Sequence, residues 1–426
     1  MGVGEGEEGA GALAMAGVPP GAWVGLGLVR YEAGPRLAGL AGVPPGLHLL
    51  HGGRGEGGAE GRHGRLLMLA PDALLPLRWD PDAETLRPDP TARGRAADAR
   101  AAGGARGLLG AGFGPFDHRR NALWEALVSH VGLSVLRRCL PREEQGGGAT
   151  ESQQEDGQTS EEVLDASLVS HTDFDGGSWV GPLLGAGARR ELNFTPAGLP
   201  RGLSGAEITR WHTEGAVRLE RLVRDGFGGD FHLLLGELQL SFVAFLQLSD
   251  LAALEQWKCL AAAACGGEDW LRVRPGFLRM LSLAMLDQLR VVDVDLFQDS
   301  VLGEGGFLRS ALCGLAATLH AALTEMEVER PHSTVDGADV RGPAVKLQDL
   351  LRDRFGVALM CVPGTMEALR GLLPLEGGGS DEEGEDGPTV VDLAPPQSVE
   401  RPLEPLVEAP AAVGAEPMKR MDWMLH

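Results

Sequence analysis

The sequence predicts an α+β multidomain chain: a β-rich N-terminal domain, an all-α C-terminal domain and a flexible acidic tail. Short apolar runs broken by turn residues crowd the first eighty positions, and apolar residues recur at helical spacing from 204 to 355. With 63 Gly and 27 Pro among 426 residues, the folded regions are expected to be separated by loose ones.

In the N-terminal part the apolar runs are 22–31, 47–51, 66–70 and 74–79, separated by Pro-Pro-Gly, Gly-Gly and Pro-Asp turn signals. Such short strands without intervening helices suggest a sandwich or small barrel, with an Ω-like Gly-rich loop at 52–64. Leu123, Leu127 and Val131 recur every four residues, and Trp124 and Val128 widen that stripe. They predict one amphipathic helix over 119–140 that closes a domain spanning 12–145, after a disordered start at 1–11. Residues 146–162 are polar and nearly free of apolar side chains, so they read as a linker. The stretch 163–202 has no clear period and is assigned no structure beyond a crossing between domains.

Helical spacing begins at Ser204, which with Glu207 has the spacing of a capping box. Ile208, Trp211, Gly215, Leu219 and Leu222 form the inner stripe of that helix. A second helix carries Phe231, Leu234, Leu235, Leu238, Phe242 and Phe245; Asp250 caps a third, which Gly266 and Gly267 end. Further stripes run through Leu278–Leu289, 307–323 and 347–355. About six helices with short loops make an all-α domain over 163–375. The tail, 376–426, starts as an acidic low-complexity run and contains one apolar island within 388–394.

A formal net charge of −22 disfavours extensive direct nucleic-acid binding, because such a surface repels a phosphate backbone. The odd set of cysteines, Cys139, Cys259, Cys265, Cys313 and Cys361, reads as thiols of a reducing compartment, most of them buried. No basic residue precedes an apolar stretch near Met1 and no run of 18 uncharged apolar residues occurs, so neither secretion nor a membrane span is expected.

Catalytic and metal motifs are weak. His48 and His51 are spaced by three on a predicted strand, where they point to opposite faces, so they read as turn-flanking side chains and not as a metal pair. Cys259 and Cys265 lack a Cys-x-x-Cys partner and read as core or semi-buried thiols. The Gly-rich stretch at 110–114 has no following Lys-Ser/Thr, and the pairs Asp173/Asp175 and Asp293/Asp295 read as solvated loop acids. Trp211, Trp257, Phe242 and Phe245 read as core. No catalytic residue, cofactor site or metal site is assigned.

Several segments, in order, resemble the A1 cistron-splicing factor family. They are Ala33-Gly34-Pro35-Arg36-Leu37-Ala38-Gly39 with Val43-Pro44-Pro45-Gly46-Leu47-His48-Leu49-Leu50-His51, then Leu77-Arg78-Trp79-Asp80, and then 109–124 with Gly114-Pro115-Phe116. In the helical half they are Ala206-Glu207-Ile208-Thr209, the run 234–243 (LLGELQLSFV) and Leu254-Glu255-Gln256-Trp257-Lys258. Near the end, Pro388-Thr389-Val390-Val391-Asp392-Leu393 is similar to a short valine-rich strand of that family.

The resemblance implies a β-sandwich-like N-terminal domain, a superhelical VHS-like α domain and a binding tail. It also implies a non-catalytic assembly factor of the U5 small nuclear ribonucleoprotein. That factor engages pre-mRNA-processing factor eight, through its RNase H-like and Jab1/MPN-like domains, in a precursor particle and delays helicase docking. Residence in nucleus and cytoplasm follows, with neither membrane nor direct nucleic acid as partner. The tail strand Thr389, Val390, Val391, Asp392 and Leu393 can add to a partner's sheet edge, and Ser380 in its acidic context is a candidate phosphorylation site. The alternatives are a hydrolase using His48 or His51 with Asp80, and a VHS-like peptide-binding adaptor.

Overall fold

Two facing sheets form the N-terminal part of the protein in this computed structural model, which describes residues 9–35, 37–54, 62–89, 112–141, 178–185, 191–200, 202–294, 306–329 and 340–356. The chain divides into the units Met1–Gly364 and Thr365–His426, and every described residue lies in the first.

The strands are β1 (Gly11–Ala16), β2 (Ala22–Leu26), β3 (Val29–Glu32), β4 (Gly39–Val43), β5 (Gly46–Arg54), β6 (His63–Leu69), β7 (Leu74–Asp80), β8 (Thr85–Pro88), β9 (Phe113–Pro115), β10 (Trp179–Val180) and β11 (Leu184–Gly185). The first sheet has the order β8-β7-β1-β4-β9; the second has β10-β6-β5-β2-β3, with β11 also on β6. Leu13, Val24, Leu26, Leu40, Leu50, Leu67, Leu75 and Leu77 fill the space between the sheets.

Side chains alternate across a strand, so the neighbours Leu49 and Leu66 point the other way. There they join the helical core with Trp124, Leu127 and Leu240. The second sheet is thus covered on both faces, which is why β5 is buried without interruption from His48 to Gly52 where a half-exposed strand would alternate.

Sequence expectation and structure differ in several places. The run 22–31 is two strands, because Gly27 adopts a φ of +58° in the two-residue turn between Leu26 and Val29. Strands β1 and β4 went unpredicted, since their Gly- and Ala-rich sequences carry little β signal. Both ends of the Gly-rich loop placed at 52–64 are strand, as β5 runs on to Arg54 and β6 starts at His63. Part of the unassigned stretch 163–202 supplies β10 and β11, antiparallel to β6.

The helices are α1 (Asn121–Leu127), α2 (Leu133–Cys139), α3 (Gly205–Thr213), α4 (Gly215–Arg221), α5 (Phe231–Leu248), α6 (Leu251–Cys265), α7 (Glu268–Arg272), α8 (Pro275–Leu289), α9 (Phe307–Glu329) and α10 (Arg341–Phe355). The sheet domain is followed by a helical one, the fold class the sequence predicts. Both capping signals hold: Ser204 and Glu207 form a complete capping box, and the Asp250 carboxylate accepts from the Ala253 N–H at 3.1 Å. The stripe from Ile208 to Leu222 is broken into α3 and α4 at Glu214, whose φ of −109° and ψ of 92° leave the helical region; Gly215, which opens α4, lies against the Gly266 carbonyl, where a Cβ would collide. Helix α7 was not anticipated; five residues are too few to show a period. Arg354 of α10 donates to the carbonyls of Leu289, Arg290 and Val292, satisfying the C-terminus of α8.

The single helix expected over 119–140 is a 3₁₀ turn followed by α1 and α2. In a continuous helix the His130 N–H would bond the Ala126 carbonyl. Instead the side-chain amide of Gln239 sits between them. Its Oε1 accepts from the His130 N–H at 2.7 Å, and its Nε2 donates to the Ala126 carbonyl at 3.0 Å and to Ser129 Oγ at 3.1 Å. A side chain inserted into the ladder is a recognised cause of helix breaks.

Candidate functional site at the junction of sheet and helices

Helix α5 is buried almost all round, as its near-continuous apolar sequence requires. Any polar side chain on it therefore needs a partner inside the protein. Glu237, 1% exposed, has four donors. Its Oε1 accepts from the Thr195 N–H at 2.7 Å and Gln256 Nε2 at 2.8 Å; its Oε2 accepts from Thr195 Oγ1 at 2.8 Å and the Cys139 thiol at 3.6 Å. Burial pushes the Glu237 carboxyl up, opposed by the bonds from Thr195 and the charge of Arg138. Burial also pushes the Cys139 thiol up, reinforced by Glu237, so this cysteine is a neutral donor and not a nucleophile. One residue earlier, Gly236 lets the loop between α1 and α2 approach: a Cβ there would run into the His130 carbonyl and the Val135 side chain.

These contacts bind α5 to α1, α2 and the extended segment 191–200. The Asn193 N–H donates to the Cys139 carbonyl at 2.7 Å, and Gln256 Nε2 also donates to the Thr195 carbonyl at 2.8 Å. Arg138 donates through one nitrogen to both Thr195 Oγ1 and the Gly226 carbonyl. Together with Trp124 Nε1, which donates to the Leu47 carbonyl of β5 at 2.7 Å, they tie sheet, short helices and α5 into one packed body.

Over this network lies an open groove of about 800 Å³. Its walls include Arg138, Phe194, Leu199, Trp211, Leu222 and Asp225. Thr195 belongs both to the groove and to the Glu237 network, so the groove floor is held rigid from beneath. Hydrogen bonding to Arg224 holds Asp225 below the usual carboxylate range, which suits an ion-pair partner better than a general base at neutral pH. Phe194, Leu199 and Leu222 give the groove an apolar lining, and Arg138 and Asp225 add charged groups to it.

The tail strand Thr389, Val390, Val391, Asp392 and Leu393, and Ser380, lie outside the described residues. His48 and His51 do point to opposite faces, but they are buried and not turn-flanking. His48 lies 2.8 Å from the Pro44 carbonyl, and His51 Nε2 lies 3.3 Å from the Gly27 carbonyl. Asp80 serves its own turn, accepting from the N–H groups of Asp82 and Ala83. Cys139 and Cys265 are buried, whereas Cys259 and Cys313 are exposed on helix surfaces, which corrects the reading of Cys259 as a core or semi-buried thiol and of most of the cysteines as buried. Trp257 and Phe242 are core; Trp211 is buried but lines the groove; Phe245 is partly buried and stacks on Trp257. Among the described residues no three His, Cys, Asp or Glu side chains are grouped to hold a metal ion.

Glu237, Gln239, Thr195 and Arg138 were missed as site residues by sequence reasoning. A signal existed for two of them: Glu237 and Gln239 sit in LLLGELQLSFVAFL, where no polar face is available to receive them.

A β-sandwich is thus braced by a helical array through a buried polar junction, with a groove beside it. Comparison with known proteins makes this specific. The family model described as the AAR2 N-terminal domain matches residues 9–141, and that described as the AAR2 C-terminal repeat region matches 194–360. The chain belongs to the AAR2 family. Protein AAR2 homolog of Mus musculus is 26% identical over 334 residues, covering 72% of this chain and 81% of the relative. The Homo sapiens homolog is 25% identical over 333 residues with the same coverage. That of Oryctolagus cuniculus is 33% identical over 113 residues, 26% of this chain and 33% of the relative.

Proposed function

We propose that this chain is a non-catalytic assembly factor of the splicing machinery that works by holding protein partners. The observation that carries this reading is the match of both AAR2 family models, in order, to the two halves that meet at the Glu237 junction. In this reading the partner is pre-mRNA-processing factor eight, the large scaffold of the U5 small nuclear ribonucleoprotein, engaged through its RNase H-like and Jab1/MPN-like domains in a precursor particle. Helicase docking waits until the chain leaves, and the work is divided between nucleus and cytoplasm.

The geometry supports such a role physically. A clamp that must present two surfaces at a set angle gains from a rigid junction, because ordering the surfaces in advance removes that cost from binding. Thr389–Leu393 of the tail adds a strand to a partner sheet, and phosphorylation of Ser380 places negative charge beside it to favour release.

Immunopurification of the full chain beside a version stopped after Gly387 tests the reading, with co-purifying proteins and small nuclear RNAs identified. Retrieval of the U5 scaffold without its helicase, weakened by the truncation, is the expected result. Failure of both versions to retrieve splicing proteins overturns it.

A further inference from the structure

The groove beside Thr195 presents donor groups that meet no acceptor among the described residues. Trp211 is the buried residue of α3 and lines the groove; it is 6% exposed, and its indole N–H donates to no acceptor among the described residues. A buried indole ordinarily finds a partner, because an unmet donor away from water is destabilising. Arg138, on the same groove, uses one guanidinium nitrogen, Nη2, for both Thr195 Oγ1 and the Gly226 carbonyl. Its other two nitrogens donate to no acceptor among the described residues.

The acidic and hydroxyl groups of the groove are already engaged. Arg224 and Arg221 hold the Asp225 carboxylate, and Thr195 Oγ1 accepts from Arg138 while donating to Glu237. Between these polar groups Leu199 is 45% exposed, and Phe194 and Leu222 lie on the same walls. An occupant that fits must bring oxygen acceptors for the donors and apolar surface for the walls. A carboxylate or phosphate is a poor source of those acceptors, because the net charge of −22 and Asp225 itself repel any anion. Neutral carbonyl oxygens remain. Proline supplies them best, since it brings a carbonyl and an apolar ring with no N–H of its own to satisfy. A run of prolines is also stiff, without internal hydrogen bonds, so little freedom is lost on docking.

We propose that this groove binds a proline-rich segment of a partner protein in the polyproline II conformation, with its rings on Phe194, Leu199 and Trp211 and its carbonyls accepting from Trp211 Nε1 and Arg138. The bonds between Thr195 and Glu237 fix the groove floor before the partner arrives, which lowers the cost of ordering it. The proposal rests on the reading of the chain as a holder of protein partners and adds the class of segment held.

The test uses the full chain and fluorescein-labelled decaproline, with binding read by fluorescence anisotropy. Trp211→Phe keeps an aromatic ring and removes the N–H, and is expected to weaken binding about fivefold. Leu199→Ser changes an exposed position and is expected to weaken it by a similar factor, which keeps the proposal testable if Trp211→Phe does not fold. Circular dichroism and the unfolding midpoint show which variants are folded. In nitrogen-15-labelled protein the Trp211 indole signal, identified by its loss in Trp211→Phe, is expected to move as decaproline is added. A glycine-serine peptide of equal length has the carbonyls without the rings or the stiffness, and is expected to bind about tenfold more weakly. Equal binding by that peptide, or tighter binding of oligoglutamate or oligouridylate, overturns the proline assignment. Decaproline that does not bind, that binds every folded variant as tightly as the natural chain, or that leaves the indole signal unmoved overturns the site. Such a failure in a chain that still retrieves splicing proteins overturns the groove alone, whereas decaproline binding by a chain that retrieves none supports the groove and overturns the splicing role.

Discussion

Replacing Glu237 by leucine, which has similar bulk and no acceptor, removes the centre of the junction between α2, α5, α6 and segment 191–200. The Thr195 N–H loses its 2.7 Å acceptor in the interior, while the Thr195 hydroxyl can turn elsewhere and Gln256 keeps its bond to the Thr195 carbonyl. An orphaned buried donor costs about 1–3 kcal/mol, and the lost charge-assisted bonds add to that. Relief of the carboxylate's desolvation offsets part, so Glu237→Leu is expected to lower stability by about 2–4 kcal/mol in urea unfolding. Against a total of about 5–15 kcal/mol this is a large fraction.

Glu237→Gln is the sharper control. Its amide oxygen can still accept from Thr195 and Gln256, and its NH₂ can donate to the Thr195 hydroxyl, so a loss of about 1 kcal/mol is expected. The two substitutions also differ in pH dependence. The folded-state pKa of Glu237 lies above its ordinary value of 4.5, so the folded chain holds the proton more tightly. Stability from this group is full below the ordinary pKa and is lost as pH rises through the raised folded value. The glutamine variant lacks this component, so its deficit relative to the natural chain should shrink as pH rises across that window. A leucine variant within about 0.5 kcal/mol of the natural chain, or a glutamine variant as damaged as the leucine one, would refute the assignment of Glu237 as the keystone.

Gly236→Ala places a Cβ against the His130 carbonyl and Val135, and backbone there cannot yield; about 1–3 kcal/mol should be lost, read as a lower thermal midpoint. Ser204→Ala removes the N-cap of α3 and should cost about 1 kcal/mol, with faster amide exchange confined to the first turn of that helix. His51 is held down to about 3 by burial and by the charges of Arg62 and Arg30, so its carbon-bound ring protons should show no titration between pH 8 and 5 in a proton NMR series. Because its folded pKa is depressed, the unfolded chain binds the proton first. Stability from His51 is therefore full above its ordinary 6.5 and is lost as pH falls from there toward 3; a His51→Gln chain that loses stability equally over that range would contradict this.

Much of the architecture was legible along the chain, because it depends on periodicities local to each element. The stripes of α5, α6, α8, α9 and α10 and the caps at Ser204 and Asp250 were readable for that reason. Strands β1 and β4 were not, since Gly and Ala become strand residues only when neighbours on both sides supply the ladder. The break between α1 and α2 was hidden for a related reason: its local stripe is that of a continuous helix, and the residue that breaks it, Gln239, is more than a hundred positions away.

The candidate site divides the same way. The ordered segments that resemble the family were legible because they are a property of the chain as written. That Glu237 and Gln239 needed partners could be inferred from their place in an apolar helix; which partners they took could not. Hydrogen bonds between Thr195 and Glu237, or between His130 and Gln239, join segments with no common period, and only packing brings them within reach. The sequence by itself determined the type of the strongly periodic elements and which of their side chains must be buried, since propensity and pattern act over a few residues. Tertiary structure alone decided where the buried polar groups meet, since long-range contact and desolvation act only once the chain is folded.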